Sequence, residues 1–334
     1  MSAAPLLSIT DLRVAFGRGG RQITALDGVS LELAAGEVLG LVGETGCGKT
    51  LTGLSVLRLL PPGARVLAGS VSFEGVDLLA LPESGMRSLR GSRIAMIFQN
   101  PVSAFNPVFT VGWQIEQVMR RHLELDGAAR RARLAEVLHD VGLPDVERVA
   151  AAYPHQLSGG QLQRAMIAMA LSCRPSLVIA DEPTTSLDVT IAAQILALLG
   201  RLQAEYGFGV LFISHNLAVV RRICTRVAVL YAGRVVETAS SSELFADAEH
   251  PYTRGLLRAI PSVGLRGTRL AAIEGVVPAD PGRVTGCAFA DRCPVVMDAC
   301  RAARPPDLAL GATHSSACLR AGTLADLGTW EATA

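Results

Sequence analysis

Aromatic side chains make up only 4% of the 334 residues, with 2 Trp and 4 Tyr, and the formal net charge is +1. So few stacking platforms and so even a balance of charge leave no broad basic surface, and a nucleic-acid partner is not expected. The chain lacks an uninterrupted apolar stretch of about 18 residues. It also lacks, near Met1, the positively charged segment and apolar core of a secretory signal. Any membrane contact is therefore expected to run through a partner. No tandem internal repeat is visible, so each motif below is expected once per chain. What remains is 50% hydrophobic and long enough for a well-developed core and two domains.

The chemistry lies in three short segments. Gly43-Glu44-Thr45-Gly46-Cys47-Gly48-Lys49-Thr50 follows the aliphatic run Val38 to Val42 and leads into a helical stretch expected to end at Leu60, before Pro61-Pro62. Strand, glycine loop and helix N-terminus in that order let backbone N–H groups curl around phosphate oxygens. Lys49 can then reach the β and γ phosphates, and the Thr50 hydroxyl can join a Mg²⁺ shell. Asp181-Glu182 closes the aliphatic run Leu177-Val178-Ile179-Ala180, which reads as a buried parallel strand. Ligands bind beyond the carboxyl ends of such strands, so Asp181 is placed to organise the water shell of Mg²⁺ and Glu182 to polarise an attacking water. An isolated Asp-Glu pair would read as a solvated strand cap. The phosphate loop upstream and Pro183-Thr184-Thr185-Ser186-Leu187-Asp188 downstream reverse that reading. Leu157-Ser158-Gly159-Gly160-Gln161, ahead of the helix-forming Ala165 to Leu171, makes another concave array of N–H donors where Ser-Gly-Gly alone would be a flexible turn. Two phosphate-binding surfaces suggest that each serves a different face of one nucleotide.

The character changes beyond His250. Cys287, Cys293, Cys300 and Cys318 give a C-x5-C-x6-C-x17-C pattern, with Pro294 directly after the second. A cytosolic chain cannot rely on disulfides, so clustered thiols point to a metal centre, and thiolates ligate both zinc and iron–sulfur groups. The pattern lacks the short C-x2-C pairs of most zinc knuckles. Spacing alone leaves iron–sulfur, zinc and no metal all open. Cys173 and Cys224 read as small buried hydrophobes. Cys47, among the phosphate-loop N–H groups, is expected to have a lowered pKa and to be sensitive to oxidation.

Together the three segments resemble the ATP-binding-cassette family, over roughly residues 6 to 250. That resemblance implies an α/β fold: a P-loop cassette core with an antiparallel β subdomain and an inserted helical subdomain at about 100–175. Leu6 to Phe16 and Ile23 to Leu33 would be strands around the turn Arg18-Gly19-Gly20, and the helically spaced stretch Arg120 to Val141 would belong to the helical lobe. It also implies a head-to-tail dimer, with a homologous second ATPase or a second copy. There Gly43 to Thr50 of one cassette and Leu157 to Gln161 of the other sandwich ATP. Gln99 matches the glutamine that contacts Mg²⁺ or the attacking water, and His215, after Val210 to Ser214, the histidine that contacts the γ-phosphate. Asp188 would lie in the loop crossing the dimer interface, and Phe16 would stack on adenine. Without the resemblance, Gln99 reads as a surface amide, His215 as a capping histidine and Phe16 as core.

His250-Pro251-Tyr252-Thr253-Arg254-Gly255-Leu256-Leu257, Gly275-Val276-Val277-Pro278, Gly286-Cys287-Ala288-Phe289-Ala290-Asp291-Arg292-Cys293-Pro294 and Gln99-Asn100-Pro101-Val102-Ser103-Ala104-Phe105-Asn106-Pro107 are similar to one branch of that family. It comprises ATPase subunits of dipeptide, oligopeptide and nickel importers. The branch implies a cassette at 1–250 and a small Cys-containing C-terminal extension at 251–334, whose four cysteines hold a [4Fe–4S] cluster in some members. It further implies a peripheral subunit on the cytoplasmic face of the inner membrane. Its partners would be two integral permease subunits and, indirectly, an extracytoplasmic solute-binding protein. The groove for the permeases is expected near Gln99 to Gln117, with Phe105 as its test residue. The sequence departs from the branch at Asn100, at Cys47 and Thr50 in the phosphate loop, and at Gln161-Leu162. Thr50 keeps the hydroxyl that magnesium needs. The other readings are import of nickel or another small solute, a soluble ATPase outside transport, and a non-catalytic module with structural zinc.

Overall fold

A computed structural model describes residues 4–18, 21–185, 187–260 and 273–324, so the Gly19-Gly20 turn and Ser186 lie outside the described residues. Contacts divide the chain into two units interleaved along the sequence. One takes in Leu33–Glu37 and Ala80–Phe212. The other takes in Leu7–Glu32, Val38–Leu79 and the chain from Ile213 onward.

The second unit holds two sheets. Strands β1 (Leu7–Arg18), β2 (Arg21–Leu33), β4 (Ala64–Phe73) and β5 (Val76–Asp77) form a four-stranded sheet in the order β2-β1-β4-β5. Along β1 the buried side chains switch from Leu7 and Ile9 to Leu12 and Val14, a change of parity. The cause is a register shift against β4 between Thr10 and Arg13, where Asp11 has φ +47°. The extra residue keeps apolar groups on the core face. The other sheet has the order β11-β12-β10-β9-β3 within this unit. Its members are β3 (Val38–Val42), β9 (Arg226–Tyr231), β10 (Arg234–Ser240), β11 (Leu308–Ala309) and β12 (Ser315–Ser316). Strand β3 is buried at all five positions and runs parallel to β9, as a strand without a polar face must be covered on both sides. Helices α1 (Lys49–Val56), α9 (Leu217–Ile223), α10 (Ser241–Ala246), α11 (Pro251–Arg258) and α12 (Asp298–Ala302) complete the unit.

Helix α1 stops at Val56, short of the expected Leu60. Arg58 takes φ +52°, its N–H bonds the Ser55 carbonyl at 3.1 Å, and the Leu59 N–H bonds that of Leu54 at 2.9 Å. This is a Schellman stop made with arginine where glycine is usual. The Arg58 guanidinium reaches the Leu78 carbonyl at 3.2 Å, a tertiary bond that no local pattern announces.

In the first unit β6 (Ile94–Ile97) and β7 (Leu177–Asp181) run parallel, in the order β8-β7-β6, and β8 (Gly209–Ser214) starts here before the chain passes to the other unit. Around them lie α2 (Glu83–Leu89), α3 (Pro101–Ala104), α4 (Val111–His122), α5 (Gly127–Asp140), α6 (Val146–Ala151), α7 (Gly159–Leu171) and α8 (Val189–Tyr206). The stretch Arg120 to Val141 is two helices, because the Asp126 carboxylate accepts from the Ala129 N–H and starts α5 anew. Gly112 lets α4 approach α6: a Cβ there would lie 2.7 Å from the Cβ of Ala150.

Candidate functional site

In the second unit the end of buried β3 opens into the glycine loop. Gly43 has φ +153°, and a Cβ there would lie 2.1 Å from the Leu230 carbonyl oxygen, so only glycine lets the loop leave the sheet against β9. Gly48, with φ +110°, is the N-cap of α1 and brings the helix N-terminus to the loop. Lys49 is 5% exposed, and its ammonium donates to the carbonyls of Gly43 at 2.8 Å and Glu44 at 2.9 Å. It is the single lysine of the chain, every other member of the 31 Lys and Arg residues being arginine. Thr45, Gly46 and Thr50 are exposed at the loop, with Glu44 half-buried. Cys47 is buried, and that burial pushes its thiol up despite the pull of Lys49, so the expected activation toward oxidation is overturned. Phe16, half-buried near the end of β1, pairs with Ala64 of β4. His215 is exposed immediately after β8, and Asn216 takes the capping role by accepting from the N–H groups of Ala218 and Val219.

The other predicted residues lie in the first unit. The register Ile97 to Ala180 between β6 and β7 carries two residues onward to Gln99 and Glu182. Their side chains meet, the Gln99 amide donating to Glu182 Oε2 at 3.2 Å. Thr185 Oγ1 donates to the same oxygen at 2.9 Å. Asp181, the last residue of β7, is 4% exposed. Glu182 takes φ +45°, a left-handed geometry that turns its side chain out of the alternation of the strand.

Ser158 caps α7. Its hydroxyl accepts from the Gln161 N–H at 3.3 Å and the Gln161 side chain accepts from the Ser158 N–H at 3.1 Å, a capping box that leaves Ser158 and Gly159 exposed at the helix start. Leu157 is 9% exposed and packs behind it, with Gly160 half-buried. Two residues after Gln161, buried Gln163 donates to the Pro183 carbonyl at 2.7 Å, tying this motif to the Asp181–Glu182 loop. Asp188 caps α8 by accepting from the Ile191 N–H at 2.9 Å. The departure at Asn100 is also a cap, its side chain accepting from Val102 N–H to start α3.

Some residues here carry no signal in their own neighbourhood of sequence. Tyr252 accepts from the Glu44 N–H at 2.8 Å, and Arg292 pairs with the Glu44 carboxylate, across 208 and 248 residues of chain. Both belong to the C-terminal motifs, whose pattern pointed to a family and said nothing of the phosphate loop.

The four tail cysteines face a common, largely apolar cavity, whose lining also includes His250, Phe289 and Arg320. Burial pushes the thiols of Cys293 and Cys318 up to about 11 and raises Cys287. A set of four thiols without a carboxylate suits a soft metal centre. Among the described residues, however, no three His, Cys, Asp or Glu side chains stand at metal-holding separations. Cys224 is buried and Cys173 half-buried.

The exposed apolar side chains of the first unit include Val102, Val108, Phe109 and Trp113, the last two stacked with ring centroids 4.2 Å apart. Phe105, expected in a docking groove, is 4% exposed and belongs to the core. No helix among the described residues is long and apolar enough to cross a membrane.

A phosphate loop running from strand to helix, and a carboxylate pair at a parallel strand end with a partnering glutamine, define a nucleotide-hydrolysing P-loop protein. The comparisons give the particular kind. The family described as ABC transporter matches residues 26–185, and the one described as oligopeptide/dipeptide transporter, C-terminal region, matches residues 236–300. A putative peptide import ATP-binding protein of Brucella ovis is 48% identical over 96% of this chain and 98% of its own length. The dipeptide transport ATP-binding protein DppD of Haemophilus influenzae is 45% identical over 90% of this chain and 91% of its own. Among solved structures, a dimeric post-hydrolysis state of the ATP-binding cassette MJ0796 bound to ADP and Pi aligns with a TM-score of 0.63 and 28% identity, over 70% of this chain and 98% of that one. The chain belongs to the ABC transporter ATPases, in the branch that carries the oligopeptide/dipeptide transporter C-terminal region.

Proposed function

We propose that this chain is the ATP-hydrolysing subunit of an importer of dipeptides or oligopeptides. It would pair head-to-tail with a homologous ATPase or a second copy, on the cytoplasmic face of the inner membrane. Two permeases would receive the solute from an extracytoplasmic binding protein. The observation that carries the reading is the Gln99–Glu182–Thr185 cluster, present on a chain that also has an intact phosphate loop and the branch's C-terminal region. A binding module would have no use for a carboxylate oriented by two donors beyond a strand end.

The roles follow from placement. Gly43 to Thr50 cradle the phosphates, Lys49 meeting the β and γ oxygens, and Phe16 stacks on adenine. Thr50, Asp181 and Gln99 would hold Mg²⁺, which supplies charge neutralisation on the phosphates when bound. Glu182 takes the proton of the attacking water as Gln99 orients that water, and His215 contacts the γ-phosphate. Leu157 to Gln161, with the exposed α7 N-terminus, serve the nucleotide of the partner cassette, and Asp188 lies on that interface. ATP bound between two incomplete surfaces favours the closed dimer, and loss of the γ-phosphate removes the bridge. Residues 1–250 would be the cassette, with a helical subdomain at about 100–175, and residues 251–334 the extension. The exposed Val108, Phe109 and Trp113 support a permease contact on α4 and the loop before it. Cys287, Cys293, Cys300 and Cys318 would hold a [4Fe–4S] cluster, a reading supported by their common cavity, and no step of hydrolysis runs through it.

Glu182→Gln tests the chemistry. In the purified, partner-loaded complex it should leave ATP binding intact and slow turnover by about 10²–10⁴-fold. Turnover at the parental rate would remove Glu182 as the general base.

A further inference from the structure

Glu44 is the one acidic residue of the phosphate loop. A free carboxylate beside a bound triphosphate would repel it, and more strongly where solvent is excluded. Here the carboxylate is met by Arg292, Nη1 to Oε2 at 2.8 Å and Nη2 to Oε1 at 2.9 Å, the parallel fork that planar guanidinium and carboxylate groups allow. The Arg292 side chain is 5% exposed and that of Glu44 27%, so salt screens the pair poorly.

The remaining donors of Arg292 are also engaged. Nε bonds the Glu274 carbonyl at 2.8 Å, Nη2 that of Ile273 at 3.1 Å, and Nη1 the Tyr231 hydroxyl at 3.3 Å. The guanidinium lies 5.7 Å from the Tyr231 ring centroid and 5.8 Å from that of Phe289. Tyr252 packs against both rings and its hydroxyl accepts from the Glu44 backbone. Main chain and side chain of the same loop residue are thus fixed from the C-terminal segment, the first by the Tyr252 hydroxyl and the second by a cation held by five hydrogen bonds.

We propose that Arg292, assisted by Tyr252, is a positioning residue for ATP: it neutralises Glu44 and fixes the first turn of the phosphate loop, so that triphosphate affinity is set from the C-terminal segment. The proposal rests on the ATPase reading and adds a determinant outside its motifs.

Equilibrium titration of the full chain with a fluorescent ATP analogue tests it. Arg292→Ala should weaken binding by about tenfold, and Arg292→Lys, which keeps the charge and loses the fork, by less. Adding Glu44→Gln to Arg292→Ala should bring affinity back to within about threefold of the parent, because the repulsive charge has gone. Should Arg292→Ala not fold, Arg292→Gln with and without Glu44→Gln asks the same question. A residue that merely docks the tail would lower the melting temperature without any rescue by Glu44→Gln. Parental ATP affinity in folded Arg292 variants, or a double variant no better than the single, overturns the proposal while leaving the ATPase reading intact. A parent chain that binds no ATP overturns both.

Discussion

Glu182 combines a backbone φ of +45° with two side-chain donors. Non-glycine residues held in that region cost about 1–3 kcal/mol, and the strain persists where surroundings over-determine it. Gln99 and Thr185 supply that determination. A buried carboxylate is held by several donors away from the chemistry: Glu237, 1% exposed, accepts from His314 Nε2 at 2.9 Å and from the backbone of Glu249 and His250. The bond to Glu237 raises the His314 pKa, with smaller help from Glu243 and Glu249. A raised histidine pKa stabilises fully below the unfolded value of about 6.5 and loses that contribution as pH climbs through the folded value. The gap in melting temperature between the parent and His314→Gln should therefore be widest below pH of about 6.5, on the order of 2 °C, and shrink toward alkaline pH. A gap independent of pH would show that only packing was lost. At this scale the sequence pointed to the places of Lys49, which starts α1, and of Asp181 and Glu182, at and just beyond the end of β7. It misled at Cys47, because loop position suggested activation while burial decides the thiol's pKa. It was silent on Arg292 and Tyr252, whose partner is set by folding.

Helix α4 shows how one element divides its duties. Gly112 is pressed against Ala150 of α6, whereas Trp113, the next residue, is 45% exposed and stacks on Phe109. Successive residues of a helix point about 100° apart, so one can close a core while its neighbour meets a partner. Trp113→Ala should leave ATP affinity of the isolated chain within about twofold and reduce solute uptake in cells by about tenfold, the size of effect that a central aromatic anchor carries. Equal loss of both would place Trp113 in the fold rather than the interface. Strands were legible here, since the aliphatic runs of β3 and, up to Asp181, of β7 allow little else, and so were β1 and β2 of the four-stranded sheet. Helix ends were less so. The stop at Arg58 depends on a tertiary carbonyl, and the break at Asp126 on one capping side chain in an otherwise periodic run. Phe105 sits in a polar, proline-bounded segment that reads as surface, and only its burial against the helices reveals it as core.

For the molecule as a whole, the proposed association with permeases and a second cassette is open to a direct test. Gentle solubilisation of membranes under anaerobic conditions, followed by mass spectrometry of what travels with this chain, should recover two integral permeases and a second cassette. Reproducible recovery of soluble or nucleic-acid partners alone would move the ATPase to another process. The Lys49 ammonium, clasped by the carbonyls of Gly43 and Glu44, gives the same molecule an unusual chemical address. With no second lysine anywhere in the sequence, amine-directed reagents meet one side chain besides the chain terminus, and a lysine-specific protease has one bond to cut. Acylation of a single peptide thus becomes a direct count of open phosphate loops, and an isotope-labelled methyl group on that nitrogen would report nucleotide occupancy as a lone side-chain resonance.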